Sequence, residues 1–165
     1  MKNTLLRITT ALVCLFAVCV TLDASAQRGE KTLGVAGGYS GYNNSGYLKA
    51  YFQYTIIEHL RLAPEIGYSF KGDHGASAFE AALDVQAPFR VARGFALYPL
   101  AGFSFNSWNY DREHGGGTAN RAAFDLGGGM ELKVTPNLKF SLQGKYSFMN
   151  DTGGCWIDLG IGYCF

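Results

Sequence analysis

Between residues 138 and 148 the chain alternates without a slip. Leu138, Phe140, Leu142, Tyr146 and Phe148 share one parity with Gly144, and Lys139, Ser141, Gln143, Lys145 and Ser147 hold the other. Side chains of an extended strand point to opposite faces with period two, so this segment has one apolar and one polar face. The segment from Cys155 to Phe165 repeats the pattern, with Ile157, Leu159, Ile161, Tyr163 and Phe165 opposed to Asp158, Gly160 and Gly162. A chain written this way folds as a sheet whose two faces meet different surroundings.

The same period runs through most of the chain. Arg121–Val134 sets Phe124, Leu126, Met130 and Leu132 against Asp125, Glu131 and Lys133. Ser77–Val91 opposes Phe79, Leu83 and Val85 to Glu80, Asp84, Gln86 and Arg90, and Leu60–Lys71 opposes Leu62, Ile66 and Tyr68 to Arg61, Glu65 and Lys71. Three segments are less regular. Phe95–Asn106 turns Tyr98 and Leu100 to the polar side, Gly46–Ile56 carries Lys49, Tyr51 and Gln53, and Thr32–Tyr42 is rich in glycine. Eight strands result, most of about ten residues, the length that a tilted strand needs to cross a bilayer. Short links near 57–59, 92–94 and 135–137 alternate with longer ones near 43–45, 72–76, 107–120 and 150–154. One rim of tight turns and one of loops is the habit of an up-and-down membrane barrel.

The first 26 residues read as an export signal. Lys2 and Arg7 precede an apolar run, Ala11–Val20, too short to span a bilayer, and Ala24-Ser25-Ala26 suits cleavage before Gln27. The barrel domain is therefore expected over residues 27–165. The whole chain holds 14 Lys and Arg against 13 Asp and Glu. Two of the former and one of the latter lie in the leader, so the remainder is neutral and offers no electrostatic case for binding nucleic acid. Cys155 and Cys164 lie nine residues apart on one extended segment, about 30 Å at ~3.3 Å per residue, so no disulfide between them is expected.

The polar faces would then line the barrel. Lys49, Arg61, Lys71, Arg90, Arg121, Lys133, Lys139 and Lys145 stand against Glu65, Glu80, Asp84, Asp125, Glu131 and Asp158, close enough to balance for mutual pairing. An eight-stranded barrel has an interior that side chains fill, so this set is expected to plug the lumen rather than line a pore.

The end of the chain, Leu159-Gly-Ile-Gly-Tyr-Cys-Phe165, resembles the C-terminal signature of outer-membrane barrels. Leu97-Tyr-Pro-Leu-Ala-Gly-Phe103 and the run that begins at Ala123 resemble the outer membrane protein β-barrel domain family common in Bacteroidetes, which is similar to OmpX and the OmpA transmembrane domain. The resemblance implies an eight-stranded antiparallel up-and-down transmembrane β-barrel in the bacterial outer membrane. It also implies that Tyr163 and Phe165 address the chain to the β-barrel assembly machinery.

Chemistry is thinly represented. Asp73, His74, Ser77, Asp111, Glu113 and His114 could form a nucleophile–base set at the loop rim, as in lipid-modifying barrels, yet they share no spacing motif. Gly115–Gly117 lacks the Lys-Ser/Thr of a phosphate loop, and Gly127–Gly129 falls within a strand. No metal-ligand spacing is present, and no cofactor is expected. The reading is a monomeric, non-enzymatic structural or surface-interaction protein, with outer-membrane lipids around it. The loop from Ser107 to Asn120, with Trp108, Tyr110, Arg112 and His114, is the candidate contact site for an unidentified surface partner. A lipid-modifying enzyme using His74 or His114, or a narrow pore, is the alternative.

Overall fold

A computed structural model describes residues 28–73, 75–111, 116–149 and 152–165. The expected leader, His74, Arg112, Glu113 and His114 lie outside the described residues. Among the described residues nine strands follow one another: β1 (Lys31–Ser40), β2 (Ser45–Ile57), β3 (Leu60–Ser69), β4 (Ala76–Gln86), β5 (Phe89–Ala92), β6 (Phe95–Tyr110), β7 (Gly117–Thr135), β8 (Leu138–Met149) and β9 (Thr152–Cys164). Each pairs antiparallel with its neighbours in the order β4-β3-β2-β1-β9-β8-β7-β6-β5, and a β4–β6 pairing closes the ring.

The barrel has eight strand positions because β4 and β5 share one. Both pair with β6, β4 through Gln86↔Leu100 and β5 through Phe89↔Leu97. Pro88 sits at the break, where it has no N–H to give to a ladder. The Ala87 amide still donates to the Pro99 carbonyl at 3.0 Å, so the position stays bridged. The single segment expected from Ser77 to Val91 is thus interrupted by its own proline. On the far side, β1 and β9 pair from Thr32↔Cys164 to Ser40↔Trp156, and Lys31 and Phe165 exchange backbone bonds beyond them.

The alternation read from sequence is realised as an inside-out protein. Leu33, Val35, Leu48, Ile66, Leu83, Phe103, Leu126, Leu142, Leu159 and Ile161 are all exposed, while the buried set includes Lys49, Arg61, Glu65, Asp84, Lys139 and Lys145. Side-chain contrast is sharp between neighbours: Leu142 is 36% exposed and Gln143 4%. Exposed aromatics gather toward both ends, with Tyr68–Phe70 and Tyr146–Phe148 pairs at the loop side and Tyr163–Phe165 at the turn side. Such girdles flank the apolar band of a membrane barrel. A concavity of about 700 Å³ on this outer wall lies where Gly37 and Ala50 are flanked by Leu48, Ile66 and Leu159.

The longest expected loop contracts. β6 and β7 stay paired up to Tyr110↔Gly117, so strand replaces most of the stretch from Ser107 to Asn120. Polar and aromatic residues there hide the period, but backbone pairing does not need it, and Thr118 Oγ1 donates across the ribbon to Asn109 Oδ1 at 2.8 Å. β8 pairs with β7 only from Met149↔Ala123, so residues 117–122 of this β6–β7 arm extend past β8, while its β6 strand stays paired with β4 up to Ala76↔Tyr110. At the opposite corner the β1–β2 turn is tied down. Asn44 adopts a positive φ of 51°, which asparagine tolerates in tight turns. Buried Asn43 donates to the carbonyls of Phe70 (3.0 Å) and Ala76.

A lipid-facing row makes a depth-dependent prediction. Leu142→Arg, near mid-strand, should cost about 2–4 kcal/mol of folding stability in vesicles, whereas Val134→Arg, on the same face at the rim, should cost about 0–1 kcal/mol. Urea unfolding followed by loss of the folded gel band checks both. Equal costs would show that the apolar rows do not face a membrane interior.

Candidate functional site

Among the described residues, charged side chains converge in numbers in the interior, which is layered along the barrel axis. Its chemistry starts from the inward parity of each strand, which brings polar residues from eight strand positions into one dry space.

The middle layer centres on Lys145 of β8. Its ammonium donates to Glu65 and, at 2.7 Å, to Glu80, and lies 3.7 Å from Asp125. Lys49 bridges Glu65 and Asp158 at 2.9 Å each. All these side chains are almost completely buried. Ser104 donates to Asp125 at 3.1 Å, and Asn106 donates to Ser104 at 3.2 Å.

Toward the turns lies a second layer built on Arg61. Its Nη1 meets both oxygens of Glu131 at 3.1 and 2.8 Å, its Nε donates to Gln86 at 2.8 Å, and its guanidinium lies 5.1 Å from the centre of the Tyr98 ring. Lys139 adds a 3.2 Å contact to Glu131. Gln143 accepts from Tyr98 at 3.1 Å and from Gln86 at 3.4 Å. A cavity of about 10 Å³ among Tyr51, Gln53, Gln86, Tyr98 and Gln143 has room for about one water. Gly129 makes the layer possible, since a Cβ there would fall 2.5 Å from the Tyr98 ring.

Toward the loops the lumen is apolar. Trp108, Trp156 and Tyr47 are fully buried and cluster with Met149, Ala76, Ala78 and Ala123. Tyr42 packs tilted against Trp108, with ring centres 4.6 Å apart, and accepts at 2.9 Å from Arg121, which caps the cluster from the rim. The turn end opens as a vestibule of about 290 Å³ lined by Arg28, Glu30, Lys133, Asn137 and Cys164.

Ten of the fourteen expected lumen charges point inward: Lys49, Arg61, Glu65, Glu80, Asp84, Asp125, Glu131, Lys139, Lys145 and Asp158. Four do not belong to the sealed interior. Lys71 lies beyond the last rung of β3, is exposed, and pairs with Asp111 of the neighbouring loop. Arg90 follows the proline break on the short β5 strand and is exposed there. Arg121 sits at the loop mouth above the end of β8, and Lys133 sits at the turn mouth, 2.5 Å from Glu30. The expected near-balance of charge therefore gives way to four cations against six carboxylates inside.

The contact-loop set divides as well. Trp108 is inside the barrel, Tyr110 is half-buried beside Tyr42, and Arg112 and His114 lie outside the described residues. The apolar plug is hidden from local composition although parity marks it: Trp108 shares the face of Asn106, Trp156 that of Asp158, and Tyr47 that of Lys49. Of the candidate nucleophile–base set, Asp73 accepts a bond from Asn44 and Asp111 pairs with Lys71, while His74, Glu113 and His114 lie outside the described residues. Cys155 and Cys164 are both free thiols on opposite faces of β9, as their spacing required.

No protein-family model matches the chain, and comparison with curated proteins yields no match. Solved structures do match over most of their length. The N-terminal β-barrel domain of OprF from Pseudomonas aeruginosa is 16% identical, with 84% of this chain and 98% of that one covered at a TM-score of 0.74. Neisserial surface protein A is 16% identical, with 82% and 96% covered at 0.62. Ail, the attachment invasion locus protein of Yersinia pestis, solved with the heparin analogue sucrose octasulfate, is 18% identical, with 84% and 100% covered at 0.58. At these identities the likeness is one of fold: the chain is an eight-stranded closed antiparallel barrel of the outer-membrane type.

Proposed function

We propose that this protein is a closed barrel of the bacterial outer membrane that acts as a structural or surface-interaction protein, presenting the β6–β7 arm at the cell surface. The observation that carries the reading is the occluded lumen. A solute would have to pass the Trp108–Trp156 plug, the lysine–carboxylate layer and the Arg61–Gln86–Gln143 layer in turn. With transport disfavoured, the loop rim is what remains to meet other molecules, and there the β6–β7 arm reaches past its neighbour β8. Its loop, residues 111–116, contains Arg112 and His114. The neighbours in fold are outer-membrane and surface proteins, which supports the location. Tyr163 and Phe165 stand exposed at the turn-side girdle, where they are available to an assembly machinery.

The refolded protein should show no discrete conductance steps in a planar bilayer. Regular steps would favour the pore reading instead. For the surface role, replacing residues 111–116 by a two-residue turn should leave folding intact and abolish photocrosslinking to a partner from a probe at Tyr110. Undiminished crosslinking would move the contact elsewhere.

Because the plug must hold for the lumen to stay closed, its central cation is a sensitive point. Lys145→Met leaves Glu65, Glu80 and Asp125 facing one another without their shared counter-ion and should cost about 3–5 kcal/mol, read from urea midpoints in micelles.

Deleting Phe165 tests biogenesis separately. A rim aromatic contributes about 1.5–3 kcal/mol of burial at most, so the variant should still refold in detergent. In cells, however, its amount in the outer membrane should fall sharply. Unchanged levels would reduce Phe165 to ordinary girdle packing.

A further inference from the structure

Two consecutive outward rungs enclose a trough on the apolar wall. One runs through Phe79, Tyr68, Leu48, Gly37 and Leu159, each paired with the next across β4, β3, β2, β1 and β9. The other runs through Ile66, Ala50, Val35, Ile161 and Phe140 across β3, β2, β1, β9 and β8. Between them lies the rung of Gly67, Lys49, Ala36 and Gly160. Lys49 and Ala36 are buried with their side chains inside the barrel, so backbone forms the floor. These three rungs line the concavity of about 700 Å³ on the outer wall.

Any pleated wall has furrows between its outward rungs, and two small residues deepen this one. Gly37 in one row and Ala50 in the other stand on neighbouring strands, diagonally across the furrow. The space at Gly37 is open: a Cβ there would meet only Leu48 Cδ2 at 3.1 Å and the Tyr47 carbonyl at 3.8 Å. Leu48, Val35, Ile66 and Leu159 stand more than half exposed and form its walls. The floor crosses four strands, about 14 Å at ~4.8 Å per strand, and Phe79 and Phe140 stand one strand further at its ends. Stagger between the strands makes the path oblique. Tyr68 is the last residue but one of β3, at the loop side, whereas Phe140 is the third of β8, at the turn side.

We infer that this trough holds one acyl chain of a lipid from the loop-side leaflet, entering beside Tyr68 and running obliquely down across β2 and β1 toward β9. The site rests on the proposal that the apolar wall faces a membrane. Lipid tails are as apolar as the wall, so burial from water does not select the site. Packing does: a chain on a flat stretch of wall is touched from one side, whereas a chain in the trough meets floor and both walls and gains their dispersion contacts. A flexible chain can follow a floor that curves with the barrel. A second copy fits it poorly, because the trough offers ten outward positions, whereas a stable contact between proteins takes about 20–30 residues a side.

The test uses the full barrel domain refolded into vesicles of dimyristoylphosphatidylcholine with a trace of the same lipid carrying a photoreactive diazirine in one chain. After irradiation, peptide mass spectrometry maps the labelled residues. Labels should gather at Val35, Leu48 and Leu159, several-fold above outward residues of the opposite wall such as Phe103 and Leu126. Ala50→Leu fills the trough and should level the map. Ala101→Leu, the same change between Val85 and Leu126 on the other wall, should leave it as in the parent. Even labelling of all outward rows in the parent, or an unchanged map in Ala50→Leu, would overturn the site. So would a trough shielded from label in barrels that run as dimers, because a second copy would then cover it. Protein that never gains a heat-modifiable gel band in these vesicles would fail the membrane reading itself, whereas inserted protein with even labelling fails the trough alone. The parent map decides the matter even if the variant does not insert.

Discussion

Every strand of this protein depends on the pairing of β1 with β9. A membrane interior offers no hydrogen bonds, so an open sheet there would leave a full row of N–H and C=O groups unsatisfied at several kcal/mol each. The rungs from Thr32↔Cys164 to Ser40↔Trp156, extended by the Lys31–Phe165 exchange, remove the last edge. Once the ring is closed the faces are no longer interchangeable. The convex wall must be apolar, and whatever polar groups the chain carries must be satisfied by one another inside.

That second demand explains the layered lumen. Ion pairs alone are a poor source of stability when buried, because desolvation offsets much of their attraction. Their value here is in specificity: Lys145 is satisfied only if β8 stands in register with β3, β4 and β7, which supply Glu65, Glu80 and Asp125. A slip of one residue would turn Lys145 to lipid and Tyr146 or Gly144 inward. Arg61 does the same for the turn side through Gln86 and Glu131. The aromatic plug completes the seal at the loop side, where Trp108 and Trp156 fill volume that shorter side chains such as Ala76 and Ala78 leave free.

Much of this was legible in the residues. Alternation in Leu138–Phe148 and Cys155–Phe165 marked which residues stand exposed on the outer wall and which are buried, because period two is a local property of an extended backbone and survives any tertiary arrangement. Lys49, Glu65, Lys139, Lys145 and Asp158 were recognisable as lumen residues for that reason alone. Parity fails where strands end. Lys71, Arg90, Arg121 and Lys133 all have inward parity in the sequence, yet each lies near or past the end of a ladder to one neighbour, where the mouth of the barrel lets water reach the side chain. The opposite error befell Trp108: a stretch too polar to look like strand continues the sheet because its backbone pairs with residues 117–120, a long-range match that no local pattern records.

The sequence by itself therefore determined the architecture: closed antiparallel strands, their approximate number, which face of each meets lipid, and the need for a charged interior. These follow from period, segment length and turn spacing, all of which act over a few residues. The tertiary structure decided who meets whom. Whether Lys145 takes Glu65 or Asp158, whether Asp84 is answered by a lysine or faces Asp125 across a bare glycine, and whether the lumen is an aqueous path or a plug depend on the shear between strands far apart in the chain. That stagger is fixed only when β1 meets β9 and the whole set of inward side chains must fill one volume together.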